Sequence, residues 1–282
     1  IGGNRQTNVK FTLVKDRPVI QLRVNKYDKP LNFVLDTGSG ISVISKQTAD
    51  KLKISPVAKG GKAKGFGGDG KFDIVYGFLN RVEIGDVAIK NVPVYIRPFH
   101  SVNEGIDGYI GLSLISKFLT TIDYGDTSFS LLRKDSPREQ FTESDGLILP
   151  LRLTSGGFLS GEVEIEGIKP RLNFIVDTGA SLSVISDEVA VLDEMSRFQV
   201  KEKIRVIGSA GETGEMPVFI LPRLTFGTES RRSVIAIALD LDVINETSGF
   251  EQMGILGGNF LKNYRLTFDF QNSKVLFVPI KK

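Results

Sequence analysis

The chain has no cysteine, no tryptophan and a single histidine, His100, in 282 residues. Without cysteine there are no disulfides and no thiolate metal sites, and the compartment leaves no redox signature. Serine and cysteine hydrolases normally take histidine as their base, and zinc sites usually gather several, so one histidine argues against both chemistries. His100 follows Arg97-Pro98-Phe99 and reads as a loop residue. Long apolar runs are missing too: the longest, Ser233 to Ile244, is interrupted by Asp240 and Asp242 and falls short of the roughly 18 residues a membrane span needs. Net charge is only +3, with 41% hydrophobic and 24% charged residues, the balance of an ordinary globular chain. The halves differ: residues 1–140 hold 21 Lys/Arg against 14 Asp/Glu, and residues 141–282 hold 15 against 19, which reads as solvated surface charge. Lys59 to Lys71 carries four lysines among six glycines but lacks the interleaved aromatics that stack bases, so nucleic acid is not an expected partner. The chain starts at Ile1 and not at methionine, which suggests a removed leader or a shortened chain. An extracytoplasmic location, periplasmic or secreted, is expected.

What is present is a repeat. Asp36-Thr37-Gly38 recurs as Asp177-Thr178-Gly179, 141 residues later. From Asn32 to Ser45 against Asn173 to Ser186, nine of fourteen positions are identical, and Val34/Ile175, Leu35/Val176 and Ile41/Leu182 differ only in apolar shape. An aspartate capping a turn explains either copy alone; two copies in matched frames point to a duplicated unit, which a chain of this length accommodates as two lobes. The second half of each unit aligns as well. Tyr109-Ile110-Gly111 precedes Asp123 by the same interval at which Ile255-Leu256-Gly257 precedes Asp269.

Strands dominate the pattern between these words. Val19 to Val24 and Gly161 to Ile165 alternate apolar and polar residues, and Phe72 to Ile84, Val92 to Ile96, Val218 to Phe226 and Leu266 to Phe270 are rich in β-branched and aromatic types. Helices are expected over Lys46 to Leu52 and Asp187 to Phe198, with short ones over Ser113 to Leu119 and Asn259 to Tyr264. The polar stretch Arg133 to Asp145, with Pro137, reads as the connection. This places one lobe at 1–136, a linker at 137–147 and a second lobe at 148–282.

With the paired Asp-Thr-Gly loops, the paired apolar-apolar-Gly elements, a glycine-rich hairpin in each half and the run ILGGNFLKNYRLTFDF near the end, the chain resembles a single-chain, bilobal aspartic protease of the pepsin and retropepsin superfamily. The lack of cysteine and the short lobes are most similar to bacterial, retropepsin-like members. The resemblance implies an all-β fold of two β-barrel-like lobes related by a pseudo-two-fold axis, with an active-site cleft between them. It implies Asp36 and Asp177 as the catalytic pair, no cofactor, no metal, a peptide or unfolded protein as substrate, and a monomer, since one chain supplies both aspartates.

Two facing carboxylates cannot both ionise easily, so such a pair shares one proton and titrates as a unit. The ionised member then acts as general base on a water and the protonated one donates to the amide oxygen. Gly38 and Gly179 are expected to permit a tight turn that aims N–H groups at the carboxylates. By resemblance, Thr37 and Thr178 hydrogen-bond across the lobe interface, and Ile110-Gly111 and Leu256-Gly257 pass close to the aspartate loops. Gly65, Phe66, Gly67 and Gly68 form the expected flap, with Phe66 covering the bound peptide; Gly208 to Gly214 is the matching hairpin, or a plain surface turn. The letters Gly65 to Gly70 also fit a dinucleotide fingerprint, but no clear strand precedes them, and the residues after them read as strand where that fingerprint needs a helix. The flap tyrosine motif of pepsin-type enzymes is missing. Ser39 can donate to Asp36 whereas Ala180 cannot donate a hydroxyl to Asp177, which predicts an activity optimum in the mildly acidic to neutral range, and not near about pH 2–3. Asp123 and Asp269 lie outside the loops and read as structural. A latent or purely peptide-binding protein of the same fold is the alternative.

Overall fold

In the computed structural model, which describes residues 1–282 except 138–140, 143, 151, 154–158 and 282, each half is organised around the same four-part core. The strand Leu31–Leu35 enters the first aspartate loop and lies parallel to Gly108–Ile110, while Ser42–Ser45 leaves the loop and pairs antiparallel with that same short strand. In the second half Leu172–Val176, Gly254–Leu256 and Ser183–Ser186 repeat the arrangement. The strands that enter the loops carry consecutive apolar residues after Asn32 and Asn173 because both faces are covered there: Phe33, Val34, Leu35, Phe174, Ile175 and Val176 are at most 2% exposed. Phe33 and Phe174, each contributing about 1.5–3 kcal/mol by burial, lie against Gly108 and Gly254, where a Cβ would strike the ring.

Long hairpins complete the lobes. Lys71–Ile84 pairs with Val87–Arg97 and also closes back onto Arg17–Val24; Met216–Phe226 pairs with Glu229–Leu239 and closes onto Leu159–Ile165. The two halves then merge at their base. One ladder runs through Leu147–Pro150, Lys274–Pro279, Tyr264–Asp269, Phe118–Asp123, Ser128–Arg133 and Gln6–Val14, so strands from the end of the chain sit beside strands from its first half. Thr121 and Thr267 face each other across this seam, their hydroxyls 3.0 Å apart. Asp123 and Asp269 end their strands by capping turns: Asp123 accepts from the N–H groups of Gly125 and Asp126, and Asp269 from those of Gln271 and Asn272.

Several expected elements differ. The helix over Asp187 to Phe198 is broken into Asp187–Ala190 and a 3-10 turn, Asp193–Phe198, with Leu192 extended between them; only Val189 and Met195 are buried there, too few for one amphipathic stripe. The short helices shrink to Leu112–Ile115 and Gly258–Leu261, because Phe118 and Tyr264 already belong to base-sheet strands. Part of the linker 137–147 lies outside the described residues, and its last residue, Leu147, is already in a strand. A strand does precede the glycine-rich segment: Ala58–Lys64 pairs with Lys71–Ile84. Its lysines, glycines and alanines have little strand preference of their own, so the partner strand imposes it. His100, itself exposed, opens a 3-10 turn, His100–Glu104. Among the described residues no helix is long and apolar enough to cross a membrane.

Candidate active site

The two Asp-Thr-Gly loops meet at the junction of the halves. Each is pinned from below by its neighbouring strand: Asp36 N–H donates to Ile110 O and Asp177 N–H to Leu256 O, both at 3.0 Å. Gly111 N–H donates to Ser42 Oγ and Gly257 N–H to Ser183 Oγ. A Cβ on Gly111 would meet the carbonyl oxygen of Ser39, and one on Gly257 that of Leu182. Both glycines have ordinary φ values, −94° and −93°, so what they supply is space for the strand to pass under the loop.

Thr37 and Thr178 lock the loops to each other. Thr37 Oγ1 donates to Val176 O and Thr178 Oγ1 to Leu35 O, each at 2.7 Å, and each hydroxyl accepts the other threonine's N–H, at 3.1 and 3.2 Å. Both residues are fully buried. Four hydrogen bonds of this kind, with no water to compete, fix the loop separation, since breaking any one strands a buried polar group.

Gly38 and Gly179 aim their N–H groups at the carboxylates as expected, and what obstructs a Cβ is the other half. Neither has a positive φ; a Cβ on Gly38 would run into the carboxylate of Asp177, and one on Gly179 into that of Asp36. The glycines make room for the opposite aspartate. The carboxylates are thereby brought into hydrogen-bond contact with one another.

Their surroundings are unequal. Asp36 Oδ1 accepts from Gly38 N–H at 2.9 Å and Oδ2 from Ser39 Oγ at 2.6 Å. Asp177 Oδ1 accepts from the N–H groups of Gly179 and Ala180 at 2.7 and 3.2 Å, and Ala180 stands where Ser39 donates its hydroxyl to Asp36. Asp36 is buried and Asp177 only partly exposed, yet both lie deep between the lobes, where protein displaces water. Burial therefore raises both carboxyls above their ordinary range. For Asp36 the rise is opposed by Ser39, by Asp177, by Gly38 and by the positive charge of Arg97. For Asp177 burial is reinforced by the neighbouring Asp36, so its carboxyl is pushed well up. Of the two carboxyls, Asp177 is the one pushed further toward its protonated form. Among the described residues no group of three or more His, Cys, Asp or Glu side chains converges on a metal position.

The segment expected as a flap closes on the other half. Gly65 to Gly70 form the tip of the hairpin between Ala58–Lys64 and Lys71–Ile84, with positive φ at Gly67, Gly68 and Gly70. The tip does not hang free. Phe66 O accepts from Ala210 N–H at 2.7 Å, Gly68 N–H donates to Glu212 O at 2.8 Å, and Phe66 N–H donates to Ser209 Oγ at 3.1 Å. The Phe66 ring packs on the second half's apolar cluster around Ile175, Ile237 and Leu239. The matching hairpin, with strands Ile207–Gly208 and Gly211–Glu212, thus closes against the first, and is more than a surface turn.

One residue at this site carried no signal in the sequence. Arg97, at the end of Val87–Arg97, is 9% exposed, lies 4.2 Å over the Phe72 ring, and donates through Nη1 to Ser209 O on the opposite hairpin.

Comparison with known proteins agrees with this geometry. A family model described as aspartyl protease matches residues 20–114 and 161–260, one segment in each half. No curated protein matches the chain by sequence. Among solved structures, the fold is similar to that of the aspartic proteinase from Irpex lacteus, with a TM-score of 0.61 and 16% identity over 98% of each chain. With both matched segments spanning an Asp-Thr-Gly loop and its apolar-apolar-Gly partner, the chain belongs to the aspartyl protease family.

Proposed function

We propose that the protein is an aspartic endopeptidase whose Asp36/Asp177 pair hydrolyses peptide bonds by activating a water, with no covalent intermediate. The observation that carries this reading is the unequal support of two carboxylates in hydrogen-bond contact: Asp36 has Ser39 and Gly38 as donors, while Asp177 lacks a hydroxyl and faces the Asp36 charge. Asp36 serves as general base on a water held between the carboxylates. Asp177 donates its proton to the scissile carbonyl oxygen as that oxygen gains charge, and the proton taken by Asp36 passes to the leaving nitrogen. The substrate enters extended beneath the flap, adding its backbone as a strand, so the contacts now joining Phe66 and Gly68 to Ala210 and Glu212 are exchanged for contacts to peptide. One chain supplies both aspartates, so a monomer suffices, and the preferred location is extracytoplasmic.

The test is cleavage of a proteome-derived peptide library between about pH 3 and 8 by the protein and by Asp177→Asn, with new termini read by mass spectrometry. Cuts that vanish in the variant support the reading. The closed hairpin pair favours a second reading, a latent protease or a peptide-binding protein, and no aspartate-dependent cutting at any pH would select it.

A further inference from the structure

Two arginines are buried in the first half near the cleft, and only one is accounted for. Arg17, 8% exposed, is ion-paired to Glu104 and donates to Val14 O. Arg97, 9% exposed, has no carboxylate in ion-pair contact among the described residues; its guanidinium touches the Phe72 ring and Ser209 O, and its Nε has no hydrogen-bond partner. A buried cation with an orphaned donor is costly unless something completes it. Asp36 does not, because its oxygens are taken by Gly38 and Ser39 and no hydrogen bond joins it to Arg97.

The position of Arg97 is informative. It lies beneath the flap, between Phe72 on the flap strand and Ser209 on the opposite hairpin, and close enough to the pair for its charge to act on Asp36 and on Tyr109. Beside it Val19, Val34 and Ile106 form a small apolar cluster separate from the main core, with Phe99 and Tyr109 packed on it. The corresponding place in the second half, set by the register Ser45 to Arg97 and Ser186 to Leu239, is a leucine within an all-apolar cluster.

We propose that Arg97 is a specificity-determining residue: it forms the charged wall of a first-half subsite that takes a glutamate or aspartate side chain of the substrate, while the second half's subsite takes an apolar one. The planar guanidinium presents its free donors to a carboxylate in a fork that neutral side chains do not match. Seating that carboxylate replaces the Ser209 contact, so an acidic residue also removes one of the contacts that join the hairpins. This rests on the peptidase reading for its setting and goes beyond it in naming the substrate class.

The test uses peptides identical but for a Glu or a Gln at one position, scanned through the positions on either side of the cut. At one of them the wild-type protein should prefer Glu over Gln in kcat/KM by on the order of 10- to 100-fold. Arg97→Gln should collapse that ratio to near one, and Arg97→Lys should keep part of it. The same peptides are titrated onto Asp177→Asn, where the Glu form should bind tighter; this arm needs no cleavage and keeps Arg97 in place. Equal treatment of Glu and Gln at every position, a ratio that survives Arg97→Gln, or no tighter binding of Glu peptides to Asp177→Asn would each overturn the proposal. If Arg97→Gln instead speeds cleavage of both forms equally, with a wild-type ratio of one, Arg97 only tethers the hairpins and the proposal falls. Loss of all aspartate-dependent cutting is a different result: it refutes the peptidase reading, and the binding arm still decides this one.

Discussion

The two halves share a backbone frame and divide the chemistry by side chains that the frame does not need. Where a residue holds the loop, the copies largely agree: Thr37 and Thr178 make the same crossed hydrogen bonds, Gly38 and Gly179 each leave room for the opposite carboxylate, and Ser42 and Ser183 accept from Gly111 and Gly257 alike. Where a side chain faces the pair or the cleft, they part: Ser39 against Ala180, and Arg97 against Leu239. Duplication supplies a symmetric clamp, and a symmetric site would give both carboxyls the same proton affinity. One hydroxyl and one guanidinium on the Asp36 side break that symmetry.

The sharpest way to break the comparison is at the aspartates. Asp36→Asn and Asp177→Asn should each lower kcat/KM by about 10⁴-fold or more, and the double variant should lose little beyond either single one, because the pair acts as a unit. Their stabilities should nonetheless differ. Asp177 has its carboxyl raised, so its contribution to stability is present while it holds its proton and is lost as pH rises through its folded pKa. Asp177→Asn should therefore unfold at a higher temperature than the wild type at alkaline pH and at a similar one at acid pH, with a smaller gain for Asp36→Asn, as melting curves across pH will show.

Next come the shared parts, where the halves should respond alike. Thr37→Val and Thr178→Val each remove a hydroxyl that donates to one carbonyl and accepts one N–H, so each should cost about 1–3 kcal/mol of stability by denaturant unfolding, with non-additive loss in the double variant. Gly111→Ala and Gly257→Ala force a Cβ against a carbonyl oxygen and should cost a comparable amount, about 1–3 kcal/mol, by overpacking. A large difference between paired variants would show that the frame is less symmetric than its contacts.

The smallest effects on rate sharpen the asymmetry. Ser39→Ala removes a donor from the ionised carboxylate, so the acid limb of the pH–rate profile should move to higher pH. Ala180→Ser adds a donor to Asp177, favouring its ionised form, so the alkaline limb should move to lower pH. Both narrow the active range, from opposite sides, with only a few-fold change at the optimum.

The frame was legible in the sequence because its parts are local words with fixed jobs: Asp-Thr-Gly needs its threonine and glycine within two residues, and the apolar-apolar-Gly element recurs with the same spacing before its strand-end aspartate. What would block a Cβ on Gly38 or Gly179 was not, since the obstacle is the other half's carboxylate, 141 residues away in sequence. Arg97 escaped notice because its counterpart Leu239 is one residue out of step with the spacing of the aspartates, so a gap-free comparison of the halves does not pair them. The flap strand Ala58–Lys64 is built from residues without strand preference, and the shortened helices reflect a base sheet whose partners, such as Leu119 and Asp269, lie far apart in the chain.

That base sheet has a consequence for how the protein is made. Phe118–Asp123 has Ser128–Arg133 on one side, but its other neighbour, Tyr264–Asp269, is synthesised some 140 residues later. While the ribosome is still short of residue 264, the first half carries an open edge of unpaired N–H and C=O groups, a template for pairing with other nascent chains. Closing that edge is a late, long-range event of the kind that makes folding slow. The same event brings Leu256 and Gly257 of the adjoining segment under the second aspartate loop. The paired aspartate loops are therefore completed only near the end of translation.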